Sequence, residues 1–227
     1  MGVRDIITKH PYLWGMFCNI NNLKYKIRFA SNLIIGKSFL YKMRIINSRS
    51  NNKVIIGDDV IIRHCSVRFS GSFNTIIIGN GCRLSGIDFC IEDDANTVEI
   101  GESTTCAGPI HLACIEGKKI VIGKKCMLSG NIAMRVGDSH SIINEAGKRV
   151  NPSASIEIQD HVWLGNDVKV LKGVSISTNS IVGTGAVVSK SVEETGSVVV
   201  GNPARIVKTG LNWDTERLAV IDTNPEE

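Results

Sequence analysis

The stretch IQDHVWLGNDVKVLKGVSISTNSIVGTGAVVSKSVEETGSVVVGNPARI, residues 158–206, carries a period of six. Every sixth position is Ile158, Leu164, Val170, Ile176, Val182, Val188, Glu194, Val200 and Ile206. Eight of these nine are aliphatic, against about four expected from a chain that is 43% hydrophobic. Four residues after each of the first eight stand Val162, Val168, Val174, Ser180, Ala186, Val192, Val198 and Ala204, all small or β-branched. A helix does not produce this pattern, because six residues turn it through ~600° and the column drifts around the axis. A short strand and a turn, repeated three times, return the column to one line every 18 residues. The aliphatic column then points inward.

Upstream the period is longer. Ile56-Gly57, Ile78-Gly79, Ile100-Gly101 and Ile122-Gly123 are each 22 residues apart, and Ile35-Gly36 precedes them by 21. Four extra residues per coil predict a recurrent bulged corner, with Asn52, Asn74 and Asn96 in register as an asparagine ladder. From Ile35 to Ile206 the spacing predicts an all-β parallel β-helix of roughly eight coils, an architecture known for hexapeptide repeats, ~40 Å tall. Its end coils present open strand edges that need covering. Residues 8–22 read as one cover: Thr8 suits an N-cap, Pro11 a first turn, and Leu13, Phe17 and Ile20 follow helical spacing. The tail after Gly210 reads as another short helix, with Trp213 packed back. The organisation is then an N-terminal helical cap (1–32), the coil (33–209) and a tail (210–227). Period alone does not set handedness, and parallel crossovers are usually right-handed.

Composition removes several classes of function. The 26 basic and 22 acidic residues leave a net charge of +4, too mild an excess to argue for nucleic acid. No run of ~18 apolar residues offers a membrane span, and charges near the N-terminus leave no signal-peptide core. The 7 cysteines have no CxxC spacing and read as free thiols of a cytoplasmic protein.

The repeat breaks once. Leu128 and Met134 keep step, and then GDSHSIINEAGKRVNPSAS (137–155) does not; its Gly, Asp, Asn, Pro and Ser mark an extended loop, 137–157, pushed out of the coil. Long loops of this kind are commonly functional. The ordered set DSH (138–140), VWLGN (162–166), LKGV (171–174), VGTGAVVSK (182–190) and GNPAR (201–205) resembles the hexapeptide-repeat acyltransferases. The likeness is strongest to those that O-acetylate sugars and bacterial surface polysaccharides, and it covers residues 120–208. It implies a left-handed β-helix, a homotrimer, acetyl-CoA bound along a groove between subunits, a glycan or sugar acceptor, and direct transfer without a metal.

Carried over position by position, the resemblance makes His140 the general base, oriented by Asp138 or a backbone carbonyl. Base catalysis of this kind is worth ~10²–10⁴ in rate. Trp163 points outward by strand alternation, and an exposed indole on a flat face needs a subunit or a ligand against it. It matches the tryptophan beside the acyl-CoA groove. Asn166 and Thr184 match positions near the pantetheine arm. Lys190, Arg205 and Lys208 match cations suited to the phosphates of coenzyme A. Plainer readings stand beside these: a solvated histidine, an indole in subunit packing, and ordinary surface cations.

The chain also departs from the pattern. Thr184 stands where Ala is common, and Leu171-Lys172 replaces a proline-containing turn. STTCAGPIHLA (103–113) lacks the acceptor-side Asn, with Thr105 and His111 as substitutes. His64, His111 and His161 lack the close His pair of a zinc site, and the cysteines read as small core residues. The alternatives are an N-acyltransferase acting on an amino-sugar nucleotide, for which residues 1–32 are too short to supply a nucleotide domain, and a non-catalytic β-helix scaffold.

Overall fold

An aliphatic residue at every sixth position buries one side chain per strand and leaves the backbone to pair with the coils above and below. The computed structural model, which describes residues 11–29, 32–47 and 49–219, shows that coil. Three parallel faces form a left-handed β-helix. The first runs from Leu33–Ile35 to Ser175–Ile176, the second from Phe39–Tyr41 up to a closing hairpin, and the third from Arg44–Asn47 to Val187–Val188. The first and third faces have 7 strands each, so the described residues complete seven coils, one fewer than the spacing predicts.

The difference arises at the C-terminal end. Val192 pairs with Ile176, and Val199 with Val182, so the last coil is one or two residues short of eighteen. Val192 and Val199 therefore take the inward places, and Val200 and Ile206 are exposed. Val198–Gly201 and Ala204–Lys208 then pair antiparallel, and that hairpin ends the second face. Where the sequence predicts a C-terminal helix, the described residues 211–219 are irregular. Trp213 does pack back, donating from Nε1 to the His161 carbonyl at 2.8 Å and stacking on the His161 ring at 4.3 Å.

Below this end the register is strict. Ile56, Ile78, Ile100, Ile122, Ile158 and Ile176 stack on the first face, none more than 1% exposed. From Ile100 the inward positions run Cys106, Leu112, Ile122; from Ile122 they run Leu128, Met134, Ile158; from Ile158 they run Leu164, Val170, Ile176. In these three coils the first two steps are six residues, and the length variation falls in the step from third face to first. The coils that start at Ile56 and Ile78 step six and then five residues, through Ile62 and Val67 and through Leu84 and Phe89, before the long return. The large bulges of the early coils and the long loop thus leave the prism at one corner.

That corner holds the asparagine ladder. Asn52, Asn74 and Asn96 are buried. The Asn52 Oδ1 accepts from the Asn74 amide at 2.9 Å, and the Asn74 Oδ1 from the Asn96 amide at 2.7 Å. Asn96 Oδ1 accepts from the Lys118 amide at 3.1 Å, where the bulge ends. Each side chain meets backbone groups that the wider corner leaves unpaired, and burial would make those costly.

Helix α1 (Pro11–Phe29) covers the first coil. Thr8, the expected cap, lies outside the described residues, as do 220–227 of the tail. The inward face of α1 is Cys18, Asn22 and Tyr25, with Asn21 half-buried beside them. Asn21 Nδ2 donates to the Leu40 carbonyl at 2.7 Å, Asn22 Nδ2 to the Ser38 carbonyl at 2.6 Å, and the Tyr25 hydroxyl accepts from the Met43 amide at 3.2 Å. The helix thus satisfies the open backbone edge with polar side chains. Leu13 and Ile20 of the apolar spacing are exposed, and the partly exposed Phe17 ring stacks on Phe39 of the first coil at 5.7 Å.

The loop between Ile132–Arg135 and Ile156–Ile158 is a small hairpin, with Ile143 bridged to Arg149. Two ion pairs pin it. Arg149 Nη1 reaches Glu116 Oε1 at 2.5 Å, and Lys172 Nζ reaches Asp138 Oδ2 at 2.5 Å. The Arg149 guanidinium, with Ser153 beside it, holds the Glu116 carboxyl down from 4.5 to about 2, and Lys172 with Asn151 lowers Asp138.

Two outcomes follow from these contacts. Asn74→Ala strands buried amide and carbonyl groups and costs about 3 kcal/mol, seen as a lowered thermal midpoint. A carboxyl depressed in the folded state stabilises fully above its unfolded pKa and loses that contribution as pH falls through the folded one. The Glu116 contribution to loop order therefore persists down to pH 4.5, declines below it, and is gone beneath pH about 2. Hydrogen exchange at the Ser153 amide reads this directly, and Glu116→Gln accelerates that exchange at neutral pH.

Candidate active site

Trp163 lies on the outward side of the second face, paired in register with Met127 and Ile181. It is half-buried rather than open, because Trp213 leans against it at 6.0 Å between ring centroids. Its Nε1 donates to Ser129 Oγ at 3.4 Å. Next to it is a hollow of about 470 Å³ lined by Thr105, Met127, Ser129, Gly130 and Asn166 among others. Asn166 Oδ1 accepts from the Gly130 amide at 2.8 Å, which fixes the side chain at the rim. A second hollow of about 330 Å³, reaching Arg63, shares Arg83 and Cys106 with the first. Because the lining residues recur coil by coil, the two hollows form a trench parallel to the prism axis.

Thr184, Lys190, Arg205 and Lys208 are all exposed, C-terminal of the trench. Thr184 occupies the turn after the second face, and Lys190 follows the last strand of the third. Arg205 and Lys208 lie on the closing hairpin, where Arg205 Nη1 donates to the Ala204 carbonyl at 2.9 Å.

His140 is elsewhere, on the loop at the corner between the third and first faces. It is exposed, and its carbonyl accepts from Asn151 Nδ2 at 2.8 Å. Asn151 also donates to Asp138 Oδ2 at 2.8 Å and accepts from the Ile142 amide at 2.8 Å. Asp138 therefore holds the loop backbone, with its carboxylate engaged by Lys172 and Asn151 rather than by the imidazole. Among the described residues, no hydrogen bond joins this loop to Trp163 or to the trench. The structure brings Trp163 and Asn166 together on one face and places His140 at a different corner of the same chain.

Sequence reasoning missed the hub residue Asn151 and the partners that place His111, its acceptor-side candidate, in a polar column on the third face. Ser66, Asp88 and His111 stand in register on successive coils, side chains outward. Ser66 Oγ donates to Asp88 Oδ1 at 2.5 Å, and His111 Nδ1 meets Asp88 Oδ2 at 3.0 Å. Arg135 Nη1 lies 3.2 Å from His111 Nε2, and its Nη2 donates to Ser139 Oγ at 3.4 Å, one residue from His140. This network fits a neutral His111 that donates from Nδ1 and accepts from Arg135 at Nε2. The register of Ser66 with Asp88, 22 residues on, was the available signal, hidden by the extra residue before His111.

Cys106 lines both hollows of the trench. All 7 cysteines are free and buried. Burial pushes the Cys65 and Cys126 thiols up to about 11 and Cys114 to about 12, which leaves them protonated near neutrality. Among the described residues no three His, Cys, Asp or Glu side chains converge as a metal site, and no helix is long and apolar enough to cross a membrane.

No family model matches the chain. A polysialic acid O-acetyltransferase of Neisseria meningitidis is 36% identical over 165 residues, covering 72% of this chain and 76% of that protein. Among solved structures, the polysialic acid-specific acetyltransferase NeuO superposes with a TM-score of 0.69 at 28% identity, over 84% of this chain and 92% of that one. The polysialic acid O-acetyltransferase OatWY superposes at 0.59 and 28% identity, over 84% and 93%. The chain belongs to the hexapeptide-repeat acetyltransferases, the family of these O-acetyltransferases, and is itself an acetyltransferase.

Proposed function

We propose that this chain transfers an acetyl group from acetyl-CoA to a sugar hydroxyl of an acidic bacterial surface polysaccharide, in the cytoplasm and as a homotrimer. The observation that carries the reading is the placement of a pinned, histidine-bearing loop beside a polar column that ends in Arg135 on one face, with an axial trench on another. The relatives named for polysialic acid support an acidic acceptor. Arg135 beside the loop supplies a cation that pairs with a sugar carboxylate.

The trench and the loop belong to different faces, so the third face of one copy set against the second face of the next completes a site that one chain leaves divided. The exposed Ile142, Ile143 and Val150 of the hairpin suit contact with a neighbouring copy. The donor lies along the second face, its acyl end near Trp163 and Asn166 and its phosphates toward Lys190, Arg205 and Lys208.

In the reaction, the acceptor hydroxyl gives its proton to the His140 imidazole as its oxygen bonds to the thioester carbonyl carbon. The tetrahedral oxyanion is stabilised by nearby amide and hydroxyl donors. It collapses with cleavage of the C–S bond, and the imidazolium returns the proton to the departing thiolate. Glu116 and Asp138 act earlier, by anchoring the loop whose backbone places the imidazole.

The test is thiol release from acetyl-CoA with polysialic acid and with neutral glycans, followed by mass spectrometry for the added acetyl group. Release with an acidic glycan supports the reading, and stable oligomers without turnover on any glycan identify a scaffold. His140→Ala lowers kcat by ~10²–10⁴ without loss of fold, and equal turnover removes His140 as the base. Arg135→Gln raises the acceptor KM about tenfold while leaving that for acetyl-CoA in place.

A further inference from the structure

The N-terminal end of the prism inverts the usual logic of a surface helix. Helix α1 turns asparagine and tyrosine inward to the first coil, and Leu13, Met16, Phe17, Ile20 and Leu23 outward, with Ile20 71% and Leu23 53% exposed. At ~100° per residue these five fall on the side of the helix opposite Cys18, Asn22 and Tyr25. Phe17 also stacks on Phe39 of the first coil at 5.7 Å between ring centroids. Packing on that coil does not explain the other four, and a contiguous apolar face of this kind marks a contact with something else.

Charge identifies the occupant. Residues 11–57 contain eight Lys or Arg and no Asp or Glu, whereas residues 58–227 contain 16 basic and 21 acidic residues. The molecule is therefore basic at the helix end and acidic along the body. Lys24, Lys37, Lys42, Arg44, Arg49 and Lys53 are exposed, and none is within ion-pair distance of a carboxylate among the described residues. Lys37, Lys42 and Arg44 belong to the coil that carries the helix, so they lie within about a Debye length of its plane.

We propose that this end is a peripheral docking surface for an anionic phospholipid bilayer, with α1 lying in the interface. Exposed apolar side chains beside unpaired cations are the recognised chemistry of interfacial helices, and each cation near an anionic surface adds about a fivefold gain in partition. A soluble acidic glycan would be drawn to the same cations but would gain nothing from five exposed aliphatic and aromatic side chains. A second copy would bring like charge against like charge. Any cyclic arrangement about an axis parallel to the prism puts every copy's helix at the same end, so the contacts add. This inference does not depend on the identity of the acceptor.

The experiment is co-sedimentation of the full chain with vesicles of phosphatidylcholine alone, and with vesicles one third phosphatidylglycerol, at about 0.15 M salt. The protein partitions to the anionic vesicles only. Ile20→Asp and Lys37→Glu/Lys42→Glu each lower that partition about tenfold or more, with thermal midpoint and thiol-release activity unchanged, and excess polysialic acid does not restore it to the supernatant. Equal binding to neutral vesicles, no effect of either variant, or displacement by the glycan overturns the proposal. So does a fall in oligomer mass of Ile20→Asp in lipid-free buffer, which assigns the face to contact between copies.

Discussion

Coil-to-coil backbone pairing is the constraint on which the rest of the structure depends. Each strand must meet the one below in parallel register at ~4.8 Å, so a residue gained within a face would turn every later side chain on that strand inside out. Extra residues can leave only at a corner. In this chain, from Ile100 to Ile176, they leave at the same one, where the third face turns into the first. The asparagine ladder is the local answer to that excess in the early coils, because a widened corner exposes amides to the core and the side-chain amides of Asn52 and Asn74 take them up. The long loop is a larger instance of the same excess, held by ion pairs to Glu116 and Lys172 because it has outgrown what one buried side chain can satisfy.

Much of this was legible in the residues because burial and register write themselves into period. The six-residue aliphatic column, the small-residue column and the 22-residue spacing of Ile-Gly pairs each record one inward position per strand. What was lost lay where period stops reporting the cause. The column continues through Val200 and Ile206 in sequence, but the last coil is shorter and the chain turns back as a hairpin, so the apolar identity of those two residues says nothing about burial. Helical spacing in Leu13, Phe17 and Ile20 located the helix but not the side chains that hold it, because the open edge of a coil demands hydrogen-bond partners, which Asn21, Asn22 and Tyr25 supply.

The candidate site shows the same division. Residues with a motif around them, His140 and Trp163, could be singled out. Residues that matter by three-dimensional neighbourhood could not. Asn151 is one asparagine among several in a polar loop, and only the fold reveals that it ties the His140 carbonyl to Asp138. His111 and Asp88 are 23 residues apart, one off the local period, and become a pair only when a shift of one residue at the corner is known. Trp163 was read as an indole in want of a partner, and Trp213, fifty residues downstream, supplies part of that partner from the tail.

On the proposed reading, the division of the site between faces is a consequence of register rather than an accident of assembly. The loop cannot leave from the second face without breaking the strands that carry Trp163 and the trench. It therefore leaves from a corner, and the base it carries is held away from the donor groove of its own chain. Two copies set face to corner remove that separation without altering either coil. Water is excluded from the same contact, which strengthens each hydrogen bond to the developing oxyanion. On this reading a prism that accepts insertions only at its corners builds its chemistry between copies, and assembly and catalysis become one structural requirement of the proposed mechanism.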